Sequence, residues 1–146
     1  MALVAIFDTS FDSIYCISYA LAEHGHRSVT NIFPEKVQGQ IVMKIATDPI
    51  KLVTSTLMPK LVDGQAVRFI PDLFIIDFLN LDGEKIMSML RQIRSTKDVP
   101  VIALSHKGPN IDRRQLLEVY GTHYVAKPFN VWKLLERVES FLGVTC

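Results

Sequence analysis

The sequence predicts an α/β fold, a doubly wound (βα)5 sandwich built on a five-stranded parallel sheet. Three observations carry this. Short apolar runs of strand length alternate with longer stretches of helical periodicity. Two of the runs, DLFIIDF at 72–78 and VPVIALS at 99–105, are continuously apolar almost to their ends, as central strands buried on both faces should be. With 146 residues, 49% hydrophobic and 21% charged, the chain has enough apolar material for one core and reads as a single domain over 1–146.

In chain order, residues 3–7 form a first strand ending at Asp8. Residues 11–24 follow with Phe11, Ile14, Tyr15, Ile17 and Leu21 on one helical face, Ser10 as cap and Gly25 as stop. Cys16, inside this pattern, reads as a small buried apolar residue. Residues 29–33 make a second strand closed by Pro34. Residues 34–71 are irregular, with apolar patterns over 37–46 and 50–61 that read as one or two helices interrupted by Pro49 and Pro59. After the strand at 72–78, Asp82 caps a helix to about Ser95, with Ile86, Met89, Leu90 and Ile93 inward. Then come the strand at 99–105, a helix over 111–120 stopped by Gly121, a short strand in HYVAKP, and a helix capped by Asn130. The inner face of that last helix is Val131, Leu134, Leu135, Val138 and Phe141.

The net charge of +1 supplies no global attraction to nucleic acid or to membrane surfaces. No window holds the roughly 18 apolar residues of a spanning helix, and MALVAIFDTS lacks the basic start of a signal peptide. Two cysteines are too few for a disulfide framework. A reducing cytoplasm is the expected setting.

Right-handed crossovers put the carboxyl ends of parallel strands on one edge, where ligands bind. Asp8, Asp77, Ser105 and Lys127 each end a predicted strand and should therefore converge. An isolated aspartate at such a place is often only a cap, and an isolated serine or lysine says little. In combination they suit an anion or phosphoryl site. Asp77 can attack a phosphoryl donor if cations neutralise the growing charge, Lys127 supplies one fixed cation, and Ser105 a hydroxyl donor. A divalent cation such as Mg²⁺ needs only one or two carboxylates beside waters and phosphoryl oxygens, and Asp8 offers one.

The motifs PDLFIID around Asp77, DG at Asp82–Gly83, VPVIALS ending in Ser105 and YVAKPF containing Lys127 and Pro128 resemble the receiver domain of two-component response regulators. The resemblance covers most of the chain outside 34–71. It implies a CheY-like, flavodoxin-like sandwich in which Asp77 is the phosphoacceptor, Ser105 the switch hydroxyl, Lys127 the invariant lysine before a commonly cis proline, and Tyr124 the switch aromatic. It also implies Mg²⁺ held by Asp8, Asp77 and the backbone carbonyl of Leu79.

The departures point to an atypical receiver. Receivers carry two acids after the first strand; here the pair is Asp8 and Thr9, which weakens the expected Mg²⁺ site. Asp12, one turn on, is an additional candidate ligand but reads more simply as a partner of the helix dipole. The loop FLNLDG is short and lacks the usual proline. The bulky His106 and Lys107 follow Ser105, and His106 reads as a solvent-facing loop residue. The segment 34–71 exceeds the usual second-helix region, and its Ile41, Met43, Leu57 and Met58 are expected to extend the core, with a docking face as the alternative.

The function expected is a signalling domain in which phosphorylation of Asp77 controls a protein contact. Its partners would be a histidine kinase or phosphotransfer protein and a protein bound on the face of the last two strands and helices; neither nucleic acid nor membrane is expected of this domain. The alternative is a pseudo-receiver acting as a phosphorylation-independent interaction module. No enzyme activity is expected beyond phosphoryl acceptance and self-dephosphorylation. A haloacid-dehalogenase-like phosphatase with Asp8 as nucleophile is a third reading, but Ser10 stands where its second acid belongs and no late acidic pair is evident.

Overall fold

The computed structural model describes residues 2–106 and 123–143; the helix expected over 111–120 and its stop Gly121 lie outside them. Strands β1 (Leu3–Phe7), β2 (Arg27–Thr30), β7 (Leu73–Asp77), β8 (Val101–His106) and β9 (His123–Lys127) form one parallel sheet in the order β2-β1-β7-β8-β9. The chain winds outward from β1 in both directions, so the switch point of the sheet falls between β1 and β7.

Both faces of the sheet are covered. Val4, Ile6, Leu73, Ile75, Ile102 and Leu104 pack on helix α1 (Phe11–Glu23) and on α4 (Val131–Leu142). Ala5, Phe7, Phe74, Ile76 and Val101 face α2 (Pro49–Leu57) and α3 (Gly83–Gln92). All five residues of β7 are buried, as its uninterrupted apolar run requires. At about 1.5–3 kcal/mol for each large apolar side chain, this strand is a main source of stability.

Local signals explain the helix ends. Ser10 accepts from Ser13 N, Asp82 from Lys85 N, and Asn130 from Trp132 N and Lys133 N, as expected of caps. Helix α3 stops at Gln92, short of Ser95, because Thr96 Oγ1 turns back to Leu90 O at 2.7 Å and closes the helix end. Arg91 donates to the carbonyls of Thr96, Lys97 and Val99 and holds the turn into β8. Burial lowers its pKa from the usual arginine value, and Asp98 partly offsets this. Glu139 of α4 is buried and lies 2.6 Å (Oε1) from His24 Nδ1 at the end of α1 and 3.7 Å (Oε2) from His26 Nε2.

Several expectations fail. In α1 the buried stripe is Ile14, Ile17, Ala20 and Leu21; Phe11 and Tyr15 are exposed, because they sit with Tyr19 on the adjoining helical face. Cys16 is exposed at the border of that stripe, one turn before Ala20. In α3, Met87 is fully buried and Met89 only half so. The second strand ends at Thr30, and Phe33 belongs to a hairpin of β3 (Ile32–Val37) and β4 (Gln40–Ile45) where a helix was expected. Gln38 and Gly39, with φ of 50° and 79°, form its two-residue turn. Pro49 starts α2 rather than interrupting it: Asp48 caps the helix, and proline at the first helical position loses no bond. Beyond Pro59, β5 (Lys60–Val62) and β6 (Gln65–Val67) form a second hairpin around Asp63–Gly64. Of the residues expected to extend the core, only Leu57 packs on it; Ile41, Met43 and Met58 are exposed.

Gly83 opens α3 against the ring of Phe78, and a Cβ there would overlap Phe78 Cγ, Cδ1 and Cε1. Gly83→Ala is expected to push Phe78, the neighbour of Asp77, out of place and to cost about 1–3 kcal/mol in urea denaturation. An unchanged midpoint would mean that the ring yields freely.

Candidate functional site

Side chains alternate along a strand. Asp8, one step past β1, and Asp77, the last residue of β7, continue the faces begun by Val4–Ile6 and Leu73–Ile75. Lys127 continues that of Val125 in β9. The period of two therefore brings three of the four predicted residues to the α1–α4 side at the carboxyl edge of the sheet.

There Lys127 Nζ stands 3.0 and 3.1 Å from the two carboxylate oxygens of Asp8 and 3.5 Å from Asp77 Oδ2. Both aspartates are fully buried. Buried carboxylates need donors, and both have them. Asp8 Oδ1 accepts from the backbone N–H groups of Thr9 and Ser10 at 2.7 and 3.0 Å. Asp77 Oδ1 accepts from Leu79 N at 2.9 Å, and Oδ2 from Thr9 Oγ1 at 3.3 Å and Asn80 Nδ2 at 3.4 Å. Thr9, at the place of a second acid, is thus a hydroxyl donor to Asp77.

Ser105 lies one residue beyond Leu104, the register partner of Asp77. Its hydroxyl is buried and has no hydrogen-bond partner among the described residues, as a group waiting for an acceptor would be. Tyr124 is half-buried in β9 opposite Ala103. His106 is the last residue of β8 and pairs with Lys127, rather than standing in a loop. The Lys127–Pro128 bond is cis. A cleft of about 560 Å³ opens beside Lys127 and is lined also by Asp12, Cys16, Leu79 and Phe129.

The sequence reading missed Asn31, which is fully buried. Its side chain accepts from Asp8 N at 3.1 Å and donates to Asp8 O at 2.8 Å and Ala46 O at 2.9 Å. It fixes the backbone that carries Asp8 to the start of the inserted segment. Nothing in the sequence marks it, since its partners are two backbone sites far along the chain.

Among the described residues no three ligating side chains gather. Asp8 and Asp77 supply the two carboxylates that suffice for a hard cation which keeps its waters. Asp12 is exposed in the first turn of α1. The donor types fit Mg²⁺, with Lys127 competing for the same oxygens.

No protein-family model matches the chain. Over 88 residues, 58% of this chain, it is 34% identical to the DNA-binding dual master transcriptional regulator RpaA of Synechocystis sp., and the match covers 36% of that protein. The chain thus spans about a third of the length of this curated relative. Among solved structures, the chemotaxis response regulator CheY4 of Vibrio cholerae superposes with a TM-score of 0.69 at 19% identity, covering 97% of this chain and 98% of that one. The receiver domain of a Pseudomonas aeruginosa sensor histidine kinase, with a magnesium ion coordinated in its active-site cleft, superposes with a TM-score of 0.68 at 21% identity and 98% coverage of both. The fold is that of a CheY-like receiver. Among the described residues no helix is long and apolar enough to cross a membrane.

Proposed function

We propose that this domain, which has the response-regulator receiver fold, accepts a phosphoryl group on Asp77 and passes the change to a protein partner. The observation that carries the reading is the meeting of Asp77 and Lys127 at the carboxyl edge of the sheet, Nζ to Oδ2 3.5 Å.

A carboxylate oxygen of Asp77 attacks the phosphorus of a phosphohistidine or acyl phosphate. The bond from phosphorus to the donor breaks, and the donor leaves with the electron pair. Lys127 and the Leu79 N–H face the charge that the acyl phosphate adds, and the Ser105 hydroxyl, without a partner among the described residues, can donate to one of its oxygens. When bound, Mg²⁺ supplies further charge neutralisation; Asp8, Asp77 and the Leu79 carbonyl would hold it, with Asp12 the remaining candidate. Ser105 moving onto the phosphoryl oxygen frees space that Tyr124 can enter, and this changes the face of the last strands and helices, where the partner binds. A histidine kinase or phosphotransfer protein is the donor, and the cytoplasm is the setting. Asp8, whose two oxygens both lie within 3.1 Å of Lys127 Nζ, serves on this reading as a charge partner and cation ligand rather than as a nucleophile of the dehalogenase kind.

Incubation with acetyl phosphate and Mg²⁺ is expected to add one hydroxylamine-labile phosphoryl group, seen by intact mass and lost in Asp77→Asn. A second reading, a pseudo-receiver that binds its partner without phosphorylation, draws on the full burial of Asp77 and on the closer approach of Lys127 to Asp8. No mass gain, together with partner binding unaltered in Asp77→Asn, would establish that reading and end the first.

A further inference from the structure

The β3–β4 hairpin projects from the domain, with every residue from 34 to 44 exposed. Among the described residues β4 pairs only with β3, so its outer edge is bare. Ile41, Met43 and Val42 on it are 74%, 49% and 40% exposed. We propose that this edge joins two copies of the chain, β4 to β4, antiparallel, in a register centred on Val42.

The turn decides which backbone groups face outward. A two-residue turn with positive φ at Gln38 and Gly39 is type I′, and the pair flanking it, Val37 and Gln40, is hydrogen-bonded. Antiparallel pairs alternate between bonded and non-bonded, so Glu35–Val42 is bonded while Lys36–Ile41 and Pro34–Met43 are not. Ile41 and Met43 therefore aim their N–H and C=O groups away from β3. On the opposite edge the position level with Met43 is Pro34, which has no N–H to offer. Exposed sheet edges are commonly blunted by proline or charge. Here the β3 edge is blunted and the β4 edge is not, and its one charge, Lys44, is answered within the hairpin by Glu35 at 3.3 Å.

The partner that fits is a second copy. A two-fold at Val42 sets Ile41 opposite Met43 of the second copy and Met43 opposite Ile41 of the second copy. Both members of each pair then face outward and exchange N–H···O bonds. Gln40 meets Lys44 of the second copy, so no like charges oppose each other. A shift by one residue would set outward groups against inward ones, and a two-fold at Lys44 would set the lysines face to face.

Sedimentation equilibrium of the whole chain up to about 1 mM tests this. A dimer is expected, its dissociation constant raised at least about tenfold by Ile41→Lys. Met43→Pro, at a level where Pro34 already shows that the hairpin tolerates proline, is expected to do the same. Unchanged far-UV circular dichroism separates lost pairing from lost folding. In a Cys16→Ser, Cys146→Ser background, Val42→Cys should cross-link two copies under oxidant and Gln40→Cys should not. A chain that stays monomeric, a dimer indifferent to both substitutions, or equal cross-linking at both positions overturns the proposal.

Discussion

Replacing Lys127 with methionine is expected to lower the unfolding free energy by about 3–5 kcal/mol, the usual cost of stranding buried charge. Two fully buried carboxylates, Asp8 and Asp77, share this one ammonium group at 3.0 and 3.5 Å, and the lysine side chain is itself only 17% exposed. Methionine keeps the stem and the volume, so little of the loss comes from packing. Backbone N–H groups and the Thr9 and Asn80 side chains still reach the carboxylates, but none of them carries charge. Added Mg²⁺ should recover part of the loss in the variant and change the wild type less, because the cation no longer competes with Lys127. Urea denaturation with and without Mg²⁺ measures both effects. A loss under about 1 kcal/mol would put the pair in the class of solvated surface bridges and remove Lys127 from the centre of the site. Phosphoryl acceptance at Asp77 should fall together with stability, and Lys127→Arg should restore stability better than acceptance, since its fork cannot occupy the same point.

Asn31→Ala is expected to cost about 2–4 kcal/mol, because the N–H and C=O of Asp8 are left buried without partners and an unmet buried group costs about 1–3 kcal/mol. The bond to Ala46 is lost as well, and with it the tie between β1 and the inserted segment. Denaturation gives the first number. Backbone amide shifts confined to Asp8, its neighbours and Ala46 would show that the effect is local. If the variant proves as stable as wild type, the Asn31 bonds are replaced by water and Asp8 does not depend on them. A slower acetyl phosphate reaction in the folded variant would tie Asn31 to the site as a positioning residue.

The parts of this protein legible in its sequence were those governed by neighbours in the chain. The apolar run of β7 announces a strand buried on both faces, and the caps Ser10, Asp82 and Asn130 act through N–H groups two or three residues away. The inserted segment misled for a related reason. Its apolar residues resemble a helical face in spacing, while the decisive signals were two dipeptides, Gln38–Gly39 and Asp63–Gly64, each with positive φ at both residues. The second is among the strongest hairpin signals a sequence carries and was legible. The first is weaker, because glutamine rarely takes that conformation. The exposure of Ile41 and Met43 was not legible at all, since an apolar residue in a strand is drawn the same whether or not another surface covers it.

At the site, the sequence by itself determined that Asp8, Asp77, Ser105 and Lys127 lie at the carboxyl ends of strands of one parallel sheet, at the last residue or within one of it, because right-handed crossovers leave no other edge for them. Tertiary structure alone decided how they divide the work. It set Lys127 closer to Asp8 than to Asp77, turned Thr9 into a donor to Asp77, left the Ser105 hydroxyl without a partner among the described residues, and made Asn31 the clamp on Asp8. These are contacts across up to 119 residues of chain, fixed by strand register to fractions of an ångström. Periodicity reports which face a residue shares; which oxygen a lysine reaches depends on how the strands align.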